Sequence, residues 1–346
     1  MQTSKNNSEN IRVTVVVVPR ESFNMFADVV ERIYKVTSPI FKVIVMEGNA
    51  PESERRRFRD FERTKPNFKV VWSARWGFPH EFVNQAIPMI DTEYAVFIDN
   101  DVEVMEGWLE NLVACADQEQ AGCVHPIYLT VKLADPTLKI HIAEGTLIEE
   151  KRDGKWFVDT KATYSGTRLE DYPDKNCKPS GFFEWHCVLF RKSLLDKIGP
   201  LDDLTIAEHV DYSLKIHKAG EKLLLEPKAV VAYDYERIFE LRGDHRKYLL
   251  FRWNVDRADH SLDFLVRKWN LHADSIARRK FWIREHTGRV RQTFIIPRVI
   301  NKLRRTVGLK NMPFAVGRMP ETLPAEINSN GHSQEQFLAF LRGSTN

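Results

Sequence analysis

Two carboxylates one residue apart, Asp99 and Asp101, follow an apolar run, Tyr94 to Ile98 (YAVFI). At a strand exit a D-x-D pair can aim oxygens from both side chains at one hard cation, and magnesium or manganese prefers such ligands. The cation could then bind the two phosphates of a nucleoside diphosphate, which bare carboxylates would repel. A solvated turn is the competing explanation, because Asp and Asn favour turns. A second group, Glu208-His209-Val210-Asp211, opens a helix-compatible stretch that stops at Ala219-Gly220. One of these groups could act as general base toward a hydroxyl. Equally, Glu208 and Asp211 could do no more than complement the positive end of a helix dipole.

The elements around these residues must bring them together. Val13 to Val18 and Phe41 to Met46 read as buried parallel strands, Lys69 to Trp72 as a third and Tyr94 to Ile98 as a fourth. Between them, Phe26 to Val36, Ser53 to Thr64 and Glu81 to Ile90 are helix-compatible. This alternation predicts an α/β doubly wound, mostly parallel sheet with flanking helices. Ligands of such sheets sit beyond the carboxyl ends of the strands, which here carry Pro19-Arg20-Glu21, Glu47 and Asp99-Asn100-Asp101. No G-x-G-x-x-G follows the first strand and no P-loop occurs, so two common nucleotide folds lose support. Farther on, Lys139 to Glu149 and Lys155 to Ala162 read as strands about an Arg152-Asp153-Gly154 turn. Phe183 to Phe190 is predicted as a strand, Ser193 to Ile198 and Glu208 to Lys218 as helices, and Glu221 to Tyr233 as a strand.

Composition sets the class. The 346 residues are 43% hydrophobic and 29% charged, as expected of a soluble chain with one large domain or a domain plus an appendage. Met1 to Asn10 is polar, without the apolar core of a signal peptide, and is expected to be flexible. Cys115, Cys123, Cys177 and Cys187 have no metal-finger spacing and are expected to be reduced thiols in a cytoplasmic protein. Net charge is only +3, but residues 278–310 hold eleven Lys or Arg against Glu285 alone. The rest of the chain is therefore near −7, and the molecule is polarised. Phe281, Trp282, Phe294, Ile295 and Ile296 interleave with this basic charge, a composition suited to the surface of an anionic membrane, at its inner face. A solvated helical face and a nucleic-acid patch are the alternatives, and so small a net charge does not point to the latter. A basic helical extension is expected over 251–311 and a tail over 312–346, with a short helix at Gln334 to Leu341.

Taken in order, VTVVVVPRE, VIVMEGN, YAVFIDNDVEVMEGWLENL, FFEWHCVLFRKSLLDKIGPLDD and AEHVDYSLKIHKAG resemble the family-2 glycosyltransferases of the GT-A fold from about Ile11 to Asn254. The resemblance implies a GT-A catalytic domain over 11–250, with a nucleotide-binding half (11–103) and an acceptor half (104–250). It implies that Pro19, Glu21 and Glu47 line a uracil and ribose pocket, with Asn84 nearby. Asp99 would contact ribose or metal and Asp101 would ligate the metal. Where the family has a histidine that completes the metal site, this chain has Tyr233-Asp234, which makes Asp234 the nearest candidate ligand. His209 stands where the family has its catalytic aspartate, so His209, Asp211 and Glu208 compete as base. Glu184 and Trp185, after Phe182 and Phe183, fall where the family builds its acceptor wall. The implied reaction is metal-dependent transfer, with inversion, from a nucleotide-diphosphate sugar (a UDP-sugar) to a glycan or lipid-linked acceptor. A non-catalytic nucleotide- or carbohydrate-binding module and a sugar nucleotidyltransferase are the alternatives. The latter would want a glycine- and arginine-rich loop after the first strand.

Overall fold

The computed structural model describes residues 11–38, 41–132, 135–234, 244–292, 295–310 and 332–343. The expected Met1 to Asn10 segment and most of the 312–346 tail lie outside them.

Four strands, β1 (Val13–Val18), β2 (Phe41–Met46), β3 (Phe68–Val71) and β4 (Tyr94–Asp99), lie parallel in the order β3-β2-β1-β4. All six residues of β1 and of β4 are buried, because helices cover both faces of the sheet. On one side pack α1 (Phe26–Val36), α2 (Glu52–Thr64) and α4 (Trp108–Glu119); α3 (Pro79–Ala86) packs on the other. The apolar face of α1 (Phe26, Val29, Val30 and Ile33) is wholly buried, following the helical period of its sequence.

Beyond β4 the sheet continues through β11 (Cys187–Arg191), β6 (Cys123–Lys132) and β12 (Leu223–Asp234). β11 runs antiparallel to both neighbours, β4 and β6, and this reversal places the chain before β11 against the carboxyl end of β4. A short β5 (Val102–Val104) and β10 (Lys178–Pro179) pair with β12. β7 (Asp135–Ile142) pairs with β6. The hairpin β8 (Glu144–Arg152) and β9 (Lys155–Thr163) turns at Asp153 and Gly154, both at positive φ (45° and 76°), the backbone of a type I′ turn.

Three expectations are corrected here. Lys139 to Glu149 is not one strand but two, because Ala143 separates β7 from β8. Phe183 to His186 is irregular, and only Cys187 onward is strand. The cysteines are not all thiols: Cys115 of α4 is bonded to Cys177, their Cα atoms 6.5 Å apart across a sequence separation of 62. Tertiary approach of α4 to β10 creates that pair, and local spacing carries no trace of it. Cys123 and Cys187 are free and buried.

The basic C-terminal region consists of α7 (Asp244–Arg252), α8 (Val255–Lys268), α9 (Ala277–Gln292) and α10 (Ile295–Thr306). α5 (Lys192–Ile198) and α6 (Glu208–Lys218) precede them, and α11 (His332–Leu341) docks Phe337 on Trp156 with ring centroids 5.0 Å apart. Among the described residues no helix is long and apolar enough to cross a membrane.

Candidate active site

The centre lies beyond the carboxyl ends of β1 and β4. Asn100, between the two aspartates, is structural: its Oδ1 accepts from the Arg20 N–H (2.9 Å) and its Nδ2 donates to the Ser22 carbonyl (2.5 Å). That staple ties the D-x-D turn to the loop after β1. Asp99 Oδ2 lies 3.1 Å from His186 Nδ1, and atoms of Asp99, Asp101 and His186 all fall within 4.8 Å of one another. Both Asp101 oxygens are buried with no hydrogen-bond partner among the described residues. Burial, then the like charges of Asp99 and Glu21, push the Asp101 carboxyl well above the usual carboxylate range. Buried carboxylates with empty acceptor sites cost free energy unless something cationic meets them. Two carboxylates and one imidazole are a donor set that suits manganese or magnesium, so these residues fit a divalent ion.

A buried charge network surrounds this trio. Arg20 Nε lies 3.4 Å from Asp99, and its Nη1 lies 2.8 Å from Glu208. The Arg20–Glu208 contact is an ion pair whose angle falls outside hydrogen-bond geometry, so both atoms still lack a formal partner. Arg252 reaches the same carboxylate at 3.8 Å. Burial opposes the charge of Glu208, but Arg20 and Arg252 outweigh it and bring its carboxyl down to about 2. Glu208 is thus locked in ion pairs. Ala207 just before it holds φ at +62° while fully buried, a left-handed conformation that costs a non-glycine residue about 1 kcal/mol.

The second aspartate of the helix, Asp211, faces elsewhere. Its Oδ1 accepts from Lys268 Nζ (2.6 Å) and Trp269 Nε1 (2.7 Å). His209 alone of the three base candidates lines a large cavity, about 520 Å³, between β7, β9, α6 and α9. Its Nε2 lies 3.5 Å from Glu184 Oε1, and its Nδ1 is buried with no partner among the described residues. Burial lowers the imidazole pKa despite the pull of Glu184 and Glu208, so the ring is neutral at physiological pH. Burial also works against the charge of Glu184, but His209, His186 and Arg20 hold its pKa below the ordinary value. A neutral imidazole beside a carboxylate can accept a proton from a hydroxyl seated in the cavity.

Trp185 does not reach this cavity. It packs into the core against Phe183, Phe190 and Tyr212. The split follows the alternation of an extended segment: Glu184 and His186 turn to the cavity while Phe183 and Trp185 turn inward. Glu47 is fully buried, and accepts from the N–H groups of Asn49, Ala50 and Ser73 and from Arg55 (2.7 Å), so it organises the loop after β2. Gly48 at φ +66° allows Pro19 to approach; a Cβ there would lie 2.6 Å from the proline ring. Asn84 exchanges two 2.8 Å hydrogen bonds with the backbone of Leu201. Asp234 ends β12 opposite Val131, and its side chain lies outside the described residues.

Several site residues carried no sequence signal. His186 meets Asp99 because Cys187 pairs with Ile98 in an antiparallel register, which only the tertiary fold specifies. The C-terminal helices supply the rest. Trp253 donates to Glu21 (2.5 Å) and Tyr248 to the Pro19 carbonyl (3.3 Å). Tyr248 packs on Phe23 (4.6 Å) and Trp76 (5.9 Å), which lie in the segments after β1 and β3. Arg279, Trp282 and His286 of α9 line the large cavity, and Trp282, 44% exposed, stacks at 22° on His286.

Comparison with known proteins bears on the family and the fold. The family model described as glycosyl transferase family 2 matches residues 14–199, more than half of the chain. A curated relative, the pre-mycofactocin glycosyltransferase of Mycobacterium tuberculosis (strain CDC 1551 / Oshkosh), is 23% identical over 225 residues. That match covers 64% of this chain and 43% of the relative, so the chain spans less than half the length of its curated relatives. The crystal structure of GalNAc-T7 with UDP, GalNAc and Mn2+ superposes with a TM-score of 0.53 at 16% identity, covering 81% of this chain and 55% of that one. S. aureus TarS 1-349 in complex with UDP-GlcNAc gives 0.48 at 15% identity, with coverages of 84% and 83%. With a D-x-D at the end of the fourth parallel strand and an antiparallel strand reversing beside it, the chain belongs to glycosyl transferase family 2 and has the GT-A fold.

Proposed function

We propose that the protein transfers a sugar, with inversion, from a nucleotide-diphosphate sugar (a UDP-sugar) to a hydroxyl of a glycan or lipid-linked acceptor. The observation that carries this is Asp101, whose two buried, unpartnered oxygens sit beside Asp99 and His186, and His186 lines the cavity that also holds His209 and Glu184. Asp99, Asp101 and His186 would hold Mn or Mg, the ion of the GalNAc-T7 complex being Mn2+. Such a cation supplies charge neutralisation for the departing diphosphate, so no protein acid need protonate it.

The protein's own groups do the remaining work. Pro19 and Glu21 form the donor-side wall, and Glu47 and Asn84 hold the loops behind it. Trp253 fixes the Glu21 carboxylate and Arg20 fixes Asp99, so neither needs to reorganise during reaction. The acceptor lies in the 520 Å³ cavity, with a sugar ring against Trp282 and a hydroxyl at the His209–Glu184 pair. His209 Nε2 takes the hydroxyl proton while the oxygen attacks the face of the anomeric carbon opposite the diphosphate. A single displacement gives inversion. Asp211 and Glu208 support the base through α6, because both are committed to cationic partners.

The test is nucleotide release from a panel of UDP- and GDP-sugars with manganese and simple glycan acceptors. Manganese-dependent release of UDP, lost on chelation, is the expected result. Manganese-dependent binding of UDP without turnover on any acceptor would instead make the chain a binding module and overturn the transferase assignment.

A further inference from the structure

The basic charge of the C-terminal region divides into two classes. On the first half of α9 it is spent in ion pairs within the molecule: Arg278 and Arg279 pair with Asp159 (2.6 and 3.1 Å), Lys280 with Asp263 (2.8 Å) and Arg284 with Asp259 (2.6 Å). On α10 and the turn after it, Lys302, Arg305 and Lys310 have no ion pair among the described residues and are exposed. Between them stand Val299 (51% exposed), Leu303 (62%), Val307 (70%) and Leu309 (51%). These are four of the seven exposed large hydrophobic side chains recorded among the described residues. Val299, Leu303 and Val307 recur every fourth residue and so share one face, while Asn301 is buried on the other side. No acid occurs from His286 to Lys310.

We propose that this face of α10 docks on an anionic lipid bilayer. A helix lying in the interface needs an apolar stripe to enter the acyl boundary and flanking cations to meet anionic headgroups, and both are present. Two other occupants fit less well. Nucleic acid favours basic residues interleaved with aromatics for base stacking, and residues 295–310 contain no aromatic. A second copy of the same face would set Lys302, Arg305 and Lys310 against like charges. α10 directly follows α9, whose Arg279, Trp282 and His286 line the acceptor cavity, so docking holds that cavity beside the headgroups. This last step, and it alone, rests on the proposed transferase activity.

The experiment is co-sedimentation of the full chain, without nucleotide or acceptor, with phosphatidylcholine vesicles and with vesicles containing phosphatidylglycerol. Binding should be at least ten-fold tighter to the anionic vesicles and weaken in high salt. The double variant Leu303→Asp/Val307→Asp should lose at least ten-fold, and Lys302→Gln/Arg305→Gln several-fold. The altered side chains are exposed, so an unchanged melting temperature and an unchanged far-UV circular dichroism spectrum show that the fold is intact. Equal binding to both vesicle types, no binding, undiminished binding by the double variant, or preference for RNA over vesicles would each overturn the proposal. Because no sugar transfer is measured, its failure is separate from failure of the transferase assignment.

Discussion

Replacing Asp101 with asparagine keeps the shape of the side chain and removes its charge. Asp101 is 1% exposed, and its ligand atoms lie within 4.8 Å of those of Asp99 and His186. Two like unit charges at about that spacing repel by roughly 3 kcal/mol at an effective dielectric near 20. Burial and this repulsion raise the Asp101 pKa above its unfolded value. A raised acid costs stability once pH exceeds the unfolded pKa, and the cost grows until pH reaches the folded pKa. Near neutral pH, with metal chelated, Asp101→Asn should therefore be more stable than the parent by about 1–3 kcal/mol. For a chain of this size that is a rise in Tm of roughly 1–4 °C. With manganese at about a hundred times its Kd the parent should gain about 2.7 kcal/mol, whereas the variant should gain little. Differential scanning fluorimetry in EDTA and across a manganese titration reads both effects. A variant that melts below the parent in EDTA and still climbs with manganese would refute the reasoning. Asp101 would then be neither a like-charge burden nor a ligand.

If neutral His209 is the base, the acid limb of kcat/KM should fall below the ordinary histidine pKa of about 6.5, because burial lowers it. His209→Asn should abolish that limb and slow transfer by roughly 10²–10⁴-fold. Asp211→Asn should keep the limb and lose about 1–3 kcal/mol of stability, since Asp211 anchors Lys268 and Trp269; a lost limb there would reassign the base. Trp282→Ala should raise the acceptor KM by roughly 2–10-fold, the worth of one aromatic contact, with the donor KM unchanged. A change confined to the donor KM would remove Trp282 from the acceptor cavity.

Much of the first half of the chain was legible because its signals are local. β1, β2 and β4 bury every side chain or nearly so, and buried parallel strands read as unbroken apolar runs. The helix at Glu208–Lys218 was legible from its glycine stop and its acidic start. Phe183 to Phe190 misled because an aromatic run promises a strand, whereas ladder pairing with β4 begins only at Cys187. The Cys115–Cys177 bond depends on an approach across 62 residues.

The D-x-D returns the same lesson. By itself the sequence determined that Asp99 and Asp101 end a buried strand in an α/β series, since periodicity and turn chemistry act over a few residues. Only the tertiary structure decided what stands around them. The antiparallel register of β11 brings His186 to Asp99, and ion pairs with Arg20 and Arg252 occupy Glu208. Lys268 and Trp269 turn Asp211 away, leaving His209 in the cavity with Glu184. The partners of a buried charge are chosen by the packing of distant elements, and no local pattern encodes that choice.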